Sequence, residues 1–511
     1  MADKDFIRLA VTETASFSGM LHGWKKSKRQ MKYKKVLLIS PPSLSRYGGL
    51  RVPAGIGHIA QALHGSSIDY EYIDMRIGYK FNDFRKKALF FKPDLIGISM
   101  ITLGYKYAYQ MISSIKELLP YSKIVVGGHH VTILKEKVLE DCKDIDFGVV
   151  ADGELTIIEL CRNDKPIEDI KGLIYRKETE IIFTGQRPIV LNLDQYAFPR
   201  YEKFNMKNYS KQIPIHSSRG CVGQCTFCPN KLIGRKFRTK STNYFVDEIE
   251  YWYDRGYKQF AIDDDNFTLI NRRIYEICDE IERRGIKNLF IRCSNGIRAD
   301  RVNRQLLARM KEIGVREVGF GVDGGNNKVL GYLKKGETIE TIEQAIKDAC
   351  ELGMDVKIFI IVGTPHETKE DIEDSIKLAK KYPVARVNFN NAIPYPGTEM
   401  FDYVEKHNLF LIPPDEYLNS IAEDIADNKL VPVFETPELP KEERLKILKR
   451  CNELEKEVMK NTAYRMYKHY PFAGLLIKIF FNGRLFERLF FKNMILRKIF
   501  EWIRYRKIMK R

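Results

Sequence analysis

The chain has 511 residues, 44% of them hydrophobic and 30% charged, which excludes a disordered polymer and a fibrous repeat. At roughly 150 residues per domain the length suggests about three domains, each able to bury its own core. Lys and Arg number 85 against 67 Asp and Glu, a net charge of +18; an excess of that size points to nucleic acid, a membrane surface or an anionic substrate.

The charge sits at the ends. Residues 1–35 carry nine basic and three acidic side chains, a net of +6, and residues 461–511 carry thirteen and two, a net of +11. The remaining 63 basic and 62 acidic residues leave 36–460 at +1, so a partner chosen by charge is a partner of the ends. Nine cysteines, an odd number mostly isolated in apolar runs, do not suggest a disulfide framework; a reducing, cytoplasmic setting is expected. The opening MADKDFIRLAVTETASF has no apolar run behind a basic segment, so no signal peptide is expected. No stretch reaches the ~18 apolar residues of a spanning helix.

Residues 1–34 read as a basic extension. From 35 to 165, short apolar strands (36–40, 70–74, 95–99, 124–127 and 146–150) alternate with helix-length segments such as 105–118. That spacing predicts a doubly wound parallel sheet covered on both faces, with ligands beyond the carboxyl ends of its strands. Those ends carry Pro41-Pro42, Ser99-Met100, Gly127-Gly128-His129 and Asp152-Gly153-Glu154, small and turn-forming residues that leave room for a flat, bulky ligand. Residues 166–212 read as a linker holding a β-hairpin (172–175 and 181–184). From 213 to 430 longer units resume, with strands at 213–217, 259–263, 289–293, 317–321, 357–362 and 386–390. Six βα units predict a partial (β/α)6 barrel with its site at the strand ends. Residues 431–511 read as helical, with a charged surface helix over 435–460 and a basic tail.

The sharpest chemical signal is Cys221-Val-Gly-Gln-Cys225-Thr-Phe-Cys228, in the loop after the first barrel strand. Thiolates this close can ligate three irons of one [4Fe–4S] cluster, leaving the fourth open. A zinc site is the alternative; zinc usually takes four ligands, and the nearby fourth is His216.

SSRGCVGQCTFC resembles the cluster loop of radical S-adenosylmethionine (SAM) enzymes, down to the aromatic Phe227 before the third cysteine. The motifs IDDDNFT (262–268), RCSNGIRAD (292–300), GFGVDGG (319–325), Lys335-Gly336-Glu337-Thr338, VGTPHET (362–368) and PYPGTEM (394–400) fall where that family places its strand-end motifs. The front half resembles a cobalamin-binding domain through PDLIGIS (93–99), VVGGHH (125–130) and VVADGE (149–154). Together, residues 35–430 resemble the cobalamin-binding radical SAM family. Three positions depart from its pattern. Asp74-Met-Arg-Ile-Gly78 stands in place of Asp-x-His-x-x-Gly, whose histidine reaches cobalt in other cobalamin proteins. Asp323 stands where relatives often have Glu, and Ala151-Asp152 precedes Gly153-Glu154 in place of Gly-Glu.

The resemblance implies a [4Fe–4S] cluster on Cys221, Cys225 and Cys228, SAM, and cobalamin. It implies cobalamin contacts from Ser99, Gly127, Gly128, Gly153 and Glu154. Contacts to SAM or substrate fall to Asp264, Asn266, Ser294, Asn295, Asp323 and Gly363. Local roles compete: helix capping within 263–266, a turn at Ser294-Asn295, and loop solvation at His129 and His130, which are otherwise candidate cobalt ligands. Cys278, Cys293 and Cys350 read as buried small side chains.

In the tail, Leu485, Phe486, Leu489, Phe490, Leu496, Ile499, Phe500 and Ile503 recur at mostly three- and four-residue steps, interleaved with Arg484, Arg488, Lys492, Arg497, Lys498 and Arg504. This is the pattern of a basic amphipathic helix on an anionic membrane, or of a helix packed on the barrel. No RNA-binding motif accompanies the charge. The expected activity is reductive SAM cleavage and methyl transfer to an unactivated carbon, on a small or lipid-like substrate. Electrons would come from a donor such as flavodoxin or ferredoxin. A radical cyclisation on the same scaffold and a non-catalytic cobalamin- or iron-sensing protein are the rival readings.

Overall fold

The computed structural model describes residues 31–42, 51–233, 236–419 and 431–467. The first sheet is built from β1 (Lys35–Ser40), β2 (Asp69–Asp74), β3 (Leu95–Ser99), β4 (Lys123–Gly127) and β5 (Phe147–Val149), followed by the hairpin β6 (Leu173–Lys177) and β7 (Glu180–Phe183). Its strand order is 2-1-3-4-5-6-7. The first five strands are parallel and the last two antiparallel. The strand interiors are continuous apolar runs because both faces are covered. Leu37, Ile39, Ile96 and Val126 face one apolar cluster, while Leu38, Leu95 and Val125 face another. Gly97 lets two strands approach, since a Cβ there would meet Leu38 at 2.9 Å.

The hairpin corrects the linker reading of 166–212. β6 pairs with β5, and Leu173, Ile174 and Tyr175 are buried. The two strands close an edge that would otherwise expose unpaired backbone groups. They are part of the first sheet.

The second sheet is parallel throughout, made of β8 (Gln212–Ile215), β11 (Gln259–Ile262), β12 (Phe290–Ile297), β13 (Val315–Asp323), β14 (Asp355–Val362) and β15 (Arg386–Asn391), in the order 15-14-13-12-11-8. Sequential order with a helix after each strand is the (β/α)6 arrangement, and among the described residues β8 and β15 are its edge strands. The helices start where short polar side chains accept backbone N–H groups. Ser241 accepts from Tyr244, Asn303 from Leu306, and Thr368 forms a capping box with Asp371. Between β8 and β11 lies a short antiparallel ribbon, β9 (Ser218–Arg219) with β10 (Arg238–Thr239), which sequence periodicity did not reveal.

The helix Lys441–Tyr467 packs on β15. It is a charged surface helix, starting at Lys441 where 435 was expected, with one face buried. Arg444 is 1% exposed and donates to the Phe434 carbonyl (2.9 Å), the Ala392 carbonyl (3.1 Å) and Asn391 Oδ1 (2.5 Å). The aromatic basic pattern at 485–504 lies outside the described residues. Among the described residues no helix is long and apolar enough to cross a membrane.

Candidate active site

Cys221, Cys225 and Cys228 lie half-buried on the loop between β9 and β10. The Gly223 N–H donates to Cys221 Sγ at 3.3 Å. A Cβ on Gly223 would stand 3.3 Å from that sulfur and 3.8 Å from the sulfur of Cys225. The loop is stitched to the barrel on both sides, Thr226 N–H donating to the Leu333 carbonyl (3.1 Å) and Met400 N–H to the Thr226 carbonyl (3.0 Å). Burial raises the Cys225 thiol above its ordinary range and pushes Cys228 up to about 11. Gly223 leaves room beside the sulfurs of Cys221 and Cys225, and the half-buried Cys228 follows on the same loop, a donor set that suits a cubane, whose irons are separate ligation points. Among the described residues no three His, Cys, Asp or Glu side chains converge on a single ion. His216, the fourth ligand of the zinc alternative, sits with its ring 6.5 Å from that of His58, and burial lowers its pKa to about 3.

The run 263–266 divides its work. Asp263 pairs with Arg51. Asp264 is buried, accepting from Ser217 N–H (2.7 Å) and Ser218 Oγ (2.6 Å), so it ties β11 to β8 and β9 and is not free to meet a ligand. Asp265, a sequence candidate for ribose or substrate contact, instead accepts from Gly220 N–H (3.1 Å) and from Asn230 Nδ2 (2.8 Å), gripping the cluster loop at both ends. Asn266 is buried, and neither side-chain atom has a hydrogen-bond partner.

Ser294 and Asn295 lie inside β12 and not in a turn; the pairing of β12 with β13 shifts register between Cys293 and Ile297. Asn295 is exposed and donates to the Asp263 carbonyl at 3.0 Å. The Ser294 side chain lies outside the described residues. Asp323 adopts φ +61°, and its Oδ2 accepts from Lys335 Nζ at 2.6 Å. Burial opposes charge on Lys335, but Asp323 and Glu337 outweigh it and hold the ammonium charged. Arg298 donates to the Lys335 and Gly336 carbonyls (3.1 and 2.9 Å), and Glu337 accepts from Ala299 N–H (2.7 Å). Both cations act electrostatically on Cys225. Lys335 and Arg298 were legible as motif members but not as site residues.

Gly363 is a packing position. Its φ is +81°, its N–H donates to Glu367 (2.6 Å), and a Cβ would collide with Arg444 Nε at 2.2 Å.

On the first sheet, Ser99, Gly127 and Gly128 share the carboxyl edge. Gly128 has φ +103°, and a Cβ there would strike the Met100 carbonyl at 2.5 Å, so only glycine lets the β3 and β4 ends meet this closely. Gly127 has ordinary clearance. His129 is exposed at this edge. His130 is buried, stacked on Tyr105 at 4.7 Å and bonded through Nε2 to Tyr109 at 3.0 Å, which removes it from the candidate cobalt ligands. Arg76, in the histidine position of the missing motif, folds back on Asp74 with contacts of 2.8 and 2.6 Å. Gly153 packs beside Val149, while Glu154 is buried and pairs with Arg219 of the barrel at 2.8 Å.

The two carboxyl edges meet at the cysteine loop. Helix Asn230–Ile233, just after Cys228, lies against helix His129–Leu134. Phe227, Leu103 and Tyr105 pack on one apolar cluster with Ala392, Met400 and Leu418. A doubly wound sheet whose ligand edge faces the cysteine loop of a half-barrel defines a two-cofactor enzyme class.

The sequence pattern of the radical SAM superfamily matches residues 215–379, and that of the B12 binding domain matches 44–161. An uncharacterized methyltransferase of Pyrococcus horikoshii is 31% identical over 395 residues, 75% of this chain and 85% of that protein. An anaerobic magnesium-protoporphyrin IX monomethyl ester cyclase of Cereibacter sphaeroides is 26% identical, over 68% of this chain and 60% of its own length. The cobalamin-dependent SAM radical enzyme OxsB, solved with aqua-cobalamin bound, superposes with a TM-score of 0.68 at 16% identity, covering 97% of this chain and 85% of that one. The radical SAM methyltransferase TsrM of Kitasatospora setae gives 0.66 at 17% identity, covering 92% of this chain and 100% of that one. The chain belongs to the cobalamin-binding radical SAM family and is an enzyme.

Proposed function

We propose that this enzyme is a cobalamin-dependent methyltransferase acting on an unactivated carbon of a lipid-like small molecule. The observation that carries this reading is the seating of the cysteine loop against the ligand edge of the B12-binding sheet. When bound, a [4Fe–4S] cluster with SAM supplies reductive SAM cleavage, and cobalamin supplies a transferable methyl group. Cys221, Cys225 and Cys228 hold the cluster, and Gly223 leaves the space it needs. Lys335, braced by Asp323, and Arg298 bring positive charge beside Cys225 and suit an anionic carboxylate such as that of SAM. Asn295 and Asn266 offer amide groups at neighbouring strand ends, and Ser99, Gly127 and Gly128 give cobalamin a floor without bulk. The lipid-like substrate and a position on the inner face of the membrane rest on the aromatic basic pattern of the tail. Reducing equivalents come from a flavodoxin or ferredoxin.

Anaerobic reconstitution with iron, sulfide and hydroxocobalamin tests this. Cluster and cobalamin absorbance, and 5′-deoxyadenosine under a strong reductant, are expected; replacing the three cysteines with Ala abolishes cluster and cleavage. Supplied with methyl-labelled SAM and a lipid extract, the enzyme passes label to product. Because relatives include proteins named as cyclases, an unlabelled new product would replace methyl transfer with cyclisation. Loss of both cluster and cleavage in the wild type would leave only a sensing role.

A further inference from the structure

We propose that Arg219 is a positioning residue: with Arg238 it clamps the neck of the cysteine loop to Asp152 and Glu154 and so fixes the spacing between the two cofactor sites. The inference rests on the two-cofactor reading above and adds the device that holds the cofactors in register.

The ribbon β9–β10 places Arg219 directly opposite Arg238. The loop between them, 220–237, carries all three cluster cysteines, so the two arginines stand at its neck. Facing them is the turn after β5. Asp152 takes Arg219 Nη1 on one oxygen at 3.1 Å and Arg238 Nη1 on the other at 2.7 Å. Glu154 Oε1 takes Arg219 Nη2 at 2.8 Å. Tyr196 backs the Arg219 guanidinium at 4.9 Å. The Arg238 and Glu154 side chains are 8% and 7% exposed, and those of Arg219 and Asp152 are 21% and 27% exposed, so the network is partly shielded from water.

A buried ion-pair network is an inefficient way to gain stability alone, because desolvation offsets most of its attraction. What it provides is direction. A guanidinium fork bridging two carboxylates admits few geometries. Only Gly220 separates Arg219 from Cys221, so rotation of the neck moves the thiols directly. Asp265, just past the end of β11, grips the loop through Gly220 and Asn230. The loop is thus held by its own barrel on one side and by the cobalamin-type sheet on the other.

The test uses the full chain with Arg219→Lys and Glu154→Gln, which keep bulk. Glu159→Gln serves as a control, because Glu159 lies on the same helix but pairs with Arg187, away from the neck. Without cofactors, amide exchange across 220–233 should rise about tenfold in Arg219→Lys and Glu154→Gln, and stay at the wild-type rate in Glu159→Gln. Unchanged exchange in the first two, or equal loosening in the control, overturns the clamp. With reduced cluster and cob(II)alamin bound, pulsed EPR should give one narrow inter-centre distance in the wild type and a broader distribution in both neck variants. Identical distributions would also overturn it. A wild type that takes up a cluster but no cobalamin would sink the proposed function instead, while the exchange measurement still decides the clamp.

Discussion

At Gly223 a methyl group would crowd the sulfur of Cys221 at 3.3 Å, standing in ordinary contact with that of Cys225 at 3.8 Å. Overpacking of this kind costs about 1 kcal/mol, or about fivefold in affinity. Gly223→Ala should therefore hold about fivefold less iron at limiting supply, read as iron and sulfide per chain, with unfolding unchanged. His130 gives a pH prediction. Burial lowers its pKa to about 4, against an ordinary value of 6.5. The unfolded chain then binds the proton that the fold refuses, so stability is full above about pH 6.5 and is lost as pH falls toward 4. At pH 5 the loss from this one residue is about 2 kcal/mol. His130→Gln should flatten the acid side of a denaturation-against-pH curve by that amount; an unchanged slope would remove the argument. The cysteines were legible in the sequence because cluster spacing is local. The partner of Glu154 lies 65 residues away, and no periodicity encodes such a pairing. The run 263–266 was legible as a site, yet which carboxylate faces Arg51, which Ser217 and which the loop depends on the twist of one strand end.

The elements themselves were read from alternation, and all six barrel strands appear within a few residues of their expected ends. Two tertiary contacts that alternation did not show share a cause. The hairpin β6–β7 was assigned to a linker because its pairing with β5 is a tertiary event. The helix Lys441–Tyr467 was read as a charged surface helix, and its charge-rich composition hid the buried Arg444 on its inner face. Arg444 joins that helix to the ends of β14 and β15, and Gly363 exists to admit it. Arg444→Ala leaves several buried acceptors unpaired, a loss of about 3 kcal/mol. Gly363→Ala fails for a related reason, the collision with Arg444 together with a left-handed backbone. Because the shorter side chain relieves that collision, the double variant should fall short of the summed losses by more than about 1 kcal/mol. Additive losses in chemical denaturation would mean that Gly363 answers to something else, such as a cofactor.

Over the whole molecule, charge and chemistry are separated. The body from 36 to 460 is near neutral at +1, and the site's cations lie against carboxylates, Lys335 on Asp323 and Arg298 on Asp300. The proposal that the basic tail meets an anionic membrane is therefore tested apart from the reaction. The structure sharpens how that idea is tested. Helix Lys441–Tyr467 still contributes Met466 to the core and bonds Arg465 Nη2 to the Val384 carbonyl at 2.8 Å, so truncation should begin at 468. Residues 468–511 hold twelve basic and two acidic side chains, a net of +10, and removing them leaves 18 − 10 = +8. Each basic residue near an anionic surface contributes about 1 kcal/mol, and raising salt from 0.1 to 1 M shortens the screening length from about 10 to about 3 Å. The full chain should therefore sediment with phosphatidylglycerol-containing vesicles, bind neutral vesicles far less, and lose more than about tenfold in affinity at high salt. The 1–467 chain should lose the same margin at low salt while keeping its unfolding midpoint. If it sediments as well as the full chain, the tail is not the anchor. If both chains prefer single-stranded RNA to vesicles, the basic tail serves nucleic acid, and the inference of a lipid-like substrate falls with it.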